Sequence, residues 1–332
     1  MGAEKCYNDL ILISEAFMSW FIFALLCMVG WGCADLFYEL GTDENDRYSH
    51  LKIAVWVGLV MGVSAFALLP FSETVRGAGA GGLALAALKY SPASLCYIVS
   101  MVIGYAGLRY LETSIVSPVQ NASGALSAIC MLIWFSLRGS ARDALSGLEI
   151  AGSAVIFVGV VTLAVVENRL KNSDTADEKY KYGALALIFP LLYCVFDTIG
   201  TAADGIILDE SAGMGLGEID VLVLYGLTFL LAGIGAFLFL RLKTGRFYNP
   251  FARSERPKCA AALCEEVGQV FYVYAMALNP VPAAPMVASY CVLSLLLTRL
   301  FAGEKLKKNQ YACIFLVIVG IVLLGISDSL SA

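Results

Sequence analysis

Hydrophobic side chains fill long runs of this chain, and charged side chains fall in the stretches between the runs. Ten of the runs approach the length of about 20 residues that an α-helix needs to cross the hydrocarbon core of a membrane. They occupy residues 18–38, 52–70, 93–111, 114–135, 147–166, 183–203, 219–240, 259–278, 282–302 and 310–327. The pattern therefore predicts an all-α integral membrane protein with ten transmembrane helices.

The polar interruptions are typical of loops. GTDENDRYSH (41–50), ENRLKNSDTADEKYKY (167–182) and RLKTGRFYNPFARSERPK (241–258) are charged and rich in turn-forming residues. The glycine-rich stretch AGAGG (78–82) predicts a flexible break, and the apolar piece after it, 83–88, is too short to span.

Composition narrows the class further. Hydrophobic residues make up 59% of the chain and charged residues only 15%, whereas a soluble domain carries roughly 25% charged residues. The charges lie in separate loops and form no basic face, so we expect the lipid bilayer and not nucleic acid as a partner. Most of the ten cysteines lie in apolar runs, no CxxC occurs, and His50 is the only histidine. We therefore expect no structural disulfide, no metal site and no cofactor.

The two halves of the chain can be aligned with each other. Three residue pairs illustrate the alignment, at shifts of 162 and 167 residues: Trp31 with Tyr193, Asp35 with Asp197, and Pro118 with Pro285. The change of shift falls in a loop, where insertions are tolerated. Since each half has five predicted helices, an odd number, the second half would enter the membrane upside down. This is the inverted-repeat plan of many secondary transporters.

The repeat divides the chain into four parts. We predict an N-terminal extension at 1–17, a first five-helix repeat at 18–167, a polar linker at 168–182 and a second five-helix repeat at 183–328. In transporters of this plan the substrate lies near the midplane, between the two repeats.

Three segments carry a resemblance to a known family: WGCADLFYELG (31–41), GYAGLRYLETSIVSPVQNASGAL (104–126) and AGEKLKKNQYACIFLVIVGIVLLG (302–325). The chain resembles the drug/metabolite transporter superfamily in its EamA-like branch, and the pair Gly303-Glu304 is the most typical feature. The first half departs from the pattern, because FSLRGSARD (135–143) lacks such a pair. The resemblance implies two EamA-like five-helix repeats and alternating access for a small polar or amphipathic solute, which we expect in the plasma membrane.

Acids inside apolar helices mark candidate site residues, because an ionised side chain at the membrane centre costs roughly 2.5–3.5 kcal/mol. Glu265 lies about 9 Å inside its predicted helix, and Glu265, Gln269 and Tyr272 share one helix face. We expect Glu265 and Gln269 to contact substrate or a coupling proton in a central cavity. In the alternative, Glu265 and Glu266 lie in the headgroup region and stabilise the helix N-terminus.

The first and sixth predicted helices carry a similar motif, an aromatic residue followed four positions later by an acid. Trp31 precedes Asp35 in one, and Tyr193 precedes Asp197 in the other. The motif predicts a pseudo-symmetric pair of site acids. Asp197 lies in the middle of its span, whereas Asp35 is close enough to a predicted helix end to be an interfacial acid instead.

Polar residues of the fourth and ninth predicted helices complete the candidate set. Gln120, Asn121 and Tyr290 are bulky enough to line a cavity, while the neighbouring serines and glycines favour close helix packing. Pro118 and Pro285 are expected in first helical turns, where proline is tolerated.

The leading interpretation is a secondary transporter of a small metabolite or drug-like solute, either proton-coupled or an exchanger. It is not expected to be an enzyme, since no nucleotide-binding motif or metal-ligand set occurs. Two alternatives stay open: an intramembrane enzyme that uses the Glu265 and Glu266 carboxylates, and a membrane subunit without transport of its own. The pattern leaves the oligomeric state undetermined.

Overall fold

The structure, a computed structural model, describes residues 19–43, 45–111, 113–138, 145–173, 186–209, 216–302 and 306–331. The proposed N-terminal extension, most of the polar linker and the Gly303-Glu304 pair lie outside these ranges. The described part contains twelve α-helices: α1 Trp20–Gly41, α2 Ser49–Leu68, α3 Glu73–Gly107, α4 Thr113–Gln120, α5 Ser123–Arg138, α6 Gly147–Ser173, α7 Ile188–Ile207, α8 Glu218–Thr244, α9 Arg256–Leu278, α10 Pro280–Ala288, α11 Tyr290–Ala302 and α12 Lys308–Ser331. Short 3₁₀ turns at Leu69–Phe71 and Arg253–Glu255 precede α3 and α9.

Nine segments of the described chain are long and apolar enough to cross a membrane. They match nine of the ten predicted spans, and large side chains such as Val63, Leu231 and Phe315 are exposed on the outside of the bundle, as lipid-facing residues must be. The remaining predicted span, 259–278, is the helix α9. Its 23 residues are sufficient in length, but Glu265, Glu266 and Gln269 lower its mean hydropathy, so the count of ten spans stays a prediction.

The most extensive helix contacts join the first half of the chain to the second. α1 packs on α9 and α3 packs on α7, while α2 packs on α8 and α6 packs on α12. The short helices follow the same rule, with α5 on α10 and α4 on α11. If each helix is exchanged for its counterpart in the other half, every one of these pairs maps onto a pair in the same set. The packing is thus of the kind that an internal repeat produces, although the repeat itself stays a prediction.

Glycines set the distance between the paired helices. A Cβ on Gly30 of α1 would lie 2.8 Å from the Cα of Gly268 on α9, and a Cβ on Gly58 of α2 would lie 2.8 Å from the Cα of Gly233 on α8. Neither distance leaves room for a side chain. Backbone-to-backbone contact of this kind is how helices associate in lipid.

The predicted fourth and ninth helices are each broken in two, contrary to the continuous spans predicted for them. The first is interrupted after Gln120, between α4 and α5, and the second at Ser289, between α10 and α11. Pro118 and Pro285 are not in first turns as predicted, because each is the sixth residue of its short helix. A proline at that position removes an internal hydrogen bond just before the break.

The predicted break at 78–82 is confirmed at one residue, Gly79, whose φ of 60° kinks α3. α3 therefore consists of two helical segments that meet at this kink, and the second continues through Pro92 to Gly107. This left-handed conformation is open to glycine at little cost. The third helix of the first half therefore begins about 20 residues before the predicted span, which adds Tyr90 to the bundle.

Candidate functional site

A cavity lies in the middle of the bundle, between the two halves of the chain. Its walls come from α1, α3, α4, α5, α7, α8, α9, α10 and α11. Half-helix ends at the two breaks supply Gln120, Asn121, Ser123, Ala288 and Tyr290 to the lining. The fold therefore brings helix interiors and interrupted backbone to the same place, as in other binding sites between membrane helices.

All ten residues that the sequence singled out line this one cavity: Trp31, Asp35, Gln120, Asn121, Tyr193, Asp197, Glu265, Gln269, Tyr272 and Tyr290. Helical spacing explains the three from α9, and the pairing of α1 with α9 and of α3 with α7 brings the separate faces together. The structure thus places these residues together, whereas their role in binding stays a prediction.

Glu265 is buried inside the bundle, with 7% of its surface exposed. α9 begins at Arg256, three residues before the predicted start, so Glu265 lies about 13.5 Å along the helix. This is well beyond the first turn, whose free N–H groups the alternative would have required. The Tyr38 hydroxyl donates to Glu265 Oε2 at 3.3 Å, and Trp31 Nε1 donates to the Glu265 carbonyl oxygen at 3.2 Å.

Asp35 and Asp197 are held in matching ways. The Ser117 hydroxyl donates to Asp35 Oδ2 at 2.6 Å, and the Ser123 hydroxyl donates to Asp197 Oδ2 at 2.6 Å. Each aspartate is thus tied to one of the two halves of the broken helix α4–α5. Asp35 lies six residues before the end of α1 and lines the cavity, which favours the site position predicted for it over the interfacial one.

Aromatic rings form most of the remaining wall. Trp31 lies 5.2 Å from Tyr272 and 5.7 Å from Tyr290 between ring centroids. The hydroxyls of Tyr38 and Tyr105 are 3.2 Å apart, and those of Tyr97 and Tyr272 are 2.6 Å apart. The aromatic faces and hydroxyls therefore form a connected lining around the three carboxyl groups.

Two amide groups at the cavity have unused hydrogen-bond donors. Within the described ranges, Gln120 Nε2 and Gln269 Nε2 are buried without any partner. Buried donors are normally satisfied in native structures. Both residues line the cavity, so a solute with an acceptor oxygen would satisfy them.

Glu266 and Glu265 face different surroundings. Glu266 is half-buried and faces Ser64 of α2, outside the cavity lining. Neighbouring residues of a helix point about 100° apart. The two carboxyl groups therefore do not converge on a common point.

Several lining residues were missing from the predicted set. Tyr97 and Tyr225 line the cavity, and Asp204 lies behind it, buried completely. The predicted sixth span ended at 203, one residue before Asp204. A signal was nevertheless present, because Asp204 is seven residues after Asp197 and shares its helix face.

The described part of the chain contains no group of three His, Cys, Asp or Glu side chains arranged to hold a metal ion. Its nine cysteines are free.

Part of the chain matches the model of a known protein family. Residues 211–326 match the model of the EamA-like transporter family. The match includes α8 and most of α12, with Glu265, Gln269, Tyr272 and Tyr290 between them, and it confirms the resemblance to EamA-like transporters of the drug/metabolite superfamily. Together with the nine apolar helices of the described chain, it indicates a multi-pass membrane protein.

The fold has a relative among solved structures. One solved structure, described only as "Crystal structure of protein", aligns with this chain at a TM-score of 0.60 and 13% sequence identity. The alignment covers 93% of this chain and 97% of the other chain. At that identity the likeness concerns the fold alone. No curated protein sequence matches the chain.

Proposed function

We propose that this protein is a secondary transporter that carries a small organic cation, such as an amine or a quaternary ammonium compound, by alternating access. The observation that carries the proposal is the charge of the cavity wall. Three carboxyl groups, from Asp35, Asp197 and Glu265, line the cavity, and no Lys, Arg or His is among the lining residues. A positively charged solute would pair with these carboxyl groups in their ionised form.

The aromatic wall supports the same class of solute. Seven tyrosines and Trp31 line the cavity, and the faces of such rings attract cations by about 0.5–2 kcal/mol each. Gln120 and Gln269 offer amide donors, which favours a cation that also carries a hydroxyl, ether or carbonyl oxygen.

The size of the cavity supports a moving carrier. The cavity has a volume of about 60 Å³, whereas sites for drug-sized ligands have volumes of roughly 300–1,000 Å³. The bundle must therefore widen to admit a solute, and then close around it. Proton coupling or exchange and operation in the plasma membrane are further parts of the proposal.

The enzyme alternative receives no support from the geometry. A mechanism shared by Glu265 and Glu266 needs both carboxyl groups at one substrate, and they face different helices. The third alternative, a subunit without transport, is separated from the proposal by the transport measurement described below.

The first test is ligand-dependent thermal unfolding of the purified protein. The panel contains tetraethylammonium, spermidine and ethidium, with glucose, uridine and glutamate as neutral or anionic controls. A ligand present at 100 times its Kd stabilises the folded state by about 2.7 kcal/mol. We expect at least one cation to raise the Tm by several degrees and the control solutes to leave it unchanged.

Adjacent acids on α9 provide a matched control. Glu265→Gln removes one of the three cavity acids and should abolish the shift, while Glu266→Gln removes an acid outside the cavity and should keep it. A shift that persists in a well-folded Glu265→Gln variant, or one produced by the anion, would contradict the proposal. Uptake of ethidium into proteoliposomes by the wild type and not by Glu265→Gln then distinguishes a carrier from a binding subunit.

A further inference from the structure

Asp204 is a fully buried acid near the end of α7. It has no exposed surface, and the tyrosine hydroxyls that face its carboxyl oxygens are not in close hydrogen-bond geometry with them. It also begins the last turn of α7, where the helix presents partial negative charge. Burial of an ionised carboxylate without close hydrogen bonds costs free energy, so a site of this kind favours an acid that can take up a proton.

The groups around Asp204 are neutral hydroxyls. Tyr90 and Tyr97 of α3 and Tyr272 of α9 present their hydroxyls to the carboxyl group, and Tyr225 of α8 lies beside it. Asp197, two turns away on α7, is the nearest other acid. Met131 of α5 and Pro280 of α10 lie close to Gly205, the residue after Asp204, and neither side chain titrates.

A chain of hydroxyls connects this sealed acid to the cavity. The Tyr97 hydroxyl lies 2.6 Å from that of Tyr272 and donates to the Thr201 hydroxyl at 3.2 Å. Tyr97, Tyr272 and Thr201 all line the cavity, and Asp204 does not. The chain therefore has one end at the acid and the other at the solute space.

From this arrangement we propose that Asp204 is the binding site for a coupling proton, which it exchanges with the cavity through the hydroxyls of Tyr97 and Tyr272. The proton passes from the carboxyl group to a tyrosine oxygen while that tyrosine's own proton moves on toward water in the cavity. Each tyrosine keeps one proton, one proton is delivered, and a carboxylate is left. The proposal rests on the transport function proposed above, and it adds the identity of the driving ion and its site.

A proton fits this site better than a metal cation. The facing groups are donor hydroxyls, and a cation such as Na⁺ would need several additional oxygen ligands and an open path. Asp204 lies outside the cavity lining, whereas a hydroxyl chain carries protons without any opening. Binding of a sodium ion in place of a proton is therefore the alternative that the test must distinguish.

The experiment is infrared difference spectroscopy of the protein in lipid nanodiscs, titrated between about pH 5 and pH 9 without any solute. The carbonyl stretch of a carboxyl group is present only while the group is protonated. We expect one such band to be lost in Asp204→Asn and kept in Asp197→Asn, which removes a cavity acid. Spectra of wild type and folded Asp204→Asn that coincide over the whole range would overturn the proposal.

Tyr97→Phe tests the pathway while Asp204 stays in place. Transfer into D₂O shifts the carboxyl band as its proton exchanges, and we expect this exchange to slow at least tenfold in Tyr97→Phe. An unchanged rate would contradict the hydroxyl chain. Loss of the band on replacing potassium chloride by sodium chloride at fixed pH would identify a sodium site instead.

If Asp204→Asn fails to fold, Asp204→Glu replaces it, with a shifted band expected and an unshifted one counting against the assignment. No solute enters these measurements, so a failure of the cation-binding test would leave their result independent.

Discussion

Glu265 and Asp204 are both buried acids beside the same tyrosine network, but they differ in what can reach them. Glu265 lines the cavity and accepts a hydrogen bond from Tyr38. Asp204 lies outside the cavity lining, where it faces the hydroxyls of Tyr97 and Tyr272 without a close hydrogen bond in the described chain. A solute can contact the first, whereas only a species that travels along hydroxyl groups can reach the second. The comparison teaches that burial alone does not identify a binding residue, because access decides which ligand an acid can serve.

The sharpest test of this comparison is to remove each charge separately and measure cation affinity at pH 8 by calorimetry. Glu265→Gln should weaken binding of the best cation roughly 30- to 150-fold, since a charged hydrogen-bonded contact is worth about 2–3 kcal/mol. Asp204→Asn should change affinity less than about threefold, because the group does not reach the solute. Similar losses in both variants would end the distinction between the two acids.

The two serine–aspartate pairs give the next test, because their geometry is matched. Ser117→Ala and Ser123→Ala each remove a donor at 2.6 Å from a carboxylate oxygen. Each should lower the free energy of unfolding by about 1–3 kcal/mol, as measured by thermal unfolding. Ser329→Ala is the control, because its hydroxyl is exposed and bonds only a carbonyl of its own helix. A large effect in one pair and none in the other would show that the halves hold their acids differently.

Tyr38→Phe should have a smaller effect on Glu265. The hydroxyl lies 3.3 Å from Oε2, longer than the serine contacts, so its removal should change cation affinity about two- to fivefold, or 0.5–1 kcal/mol. Tyr193→Phe serves as the reference, since the Tyr193 hydroxyl bonds only the sulfur of Met101 at 3.6 Å. Equal effects of the two changes would remove Tyr38 from the set that positions Glu265.

The smallest effect is expected at an acid outside the bundle. Burial alone would raise the pKa of Asp46, but the hydrogen bond and charge of Lys52, at 2.6 Å, outweigh it and lower the pKa. The pair therefore stabilises the fold above the ordinary pKa of Asp, about 3.9, and this contribution is lost as the pH falls through the lowered value. Lys52→Met should cost at most about 0.5 kcal/mol at pH 7 and progressively less as the pH falls through the lowered pKa of Asp46. A cost that does not decrease with falling pH would indicate lost packing by the lysine side chain.

Hydrophobic pattern predicted the membrane fold well because lipid imposes one length on every crossing helix. It failed where the backbone departs from regular helix inside an apolar stretch. The breaks after Gln120 and at Ser289 each follow a proline, Pro118 or Pro285, which was predicted in a first helical turn and not at an interruption. The glycines at 78–82 did mark an interruption, because α3 is kinked at Gly79, although the residues on either side of it are helical.

The candidate site was predicted from helical spacing, which is a local property. Glu265, Gln269 and Tyr272 share a face by geometry alone, and all three reached the cavity. Asp204 and Tyr90 were missed because both lay just outside the predicted spans. Their burial depends on where α3 begins and on how it packs against α7, which no single-helix pattern contains.

The two interrupted helices also bear on the mechanics of the bundle. A continuous helix transmits a tilt at one end to the other as a rigid rod, whereas α4–α5 and α10–α11 are each jointed near the cavity. Pro118 and Pro285 weaken the turn before each joint further. Bending at these two points therefore costs less free energy than bending elsewhere in the helices. A helix segment on one side of the cavity can then change its tilt without tilting the segment on the other side of the cavity.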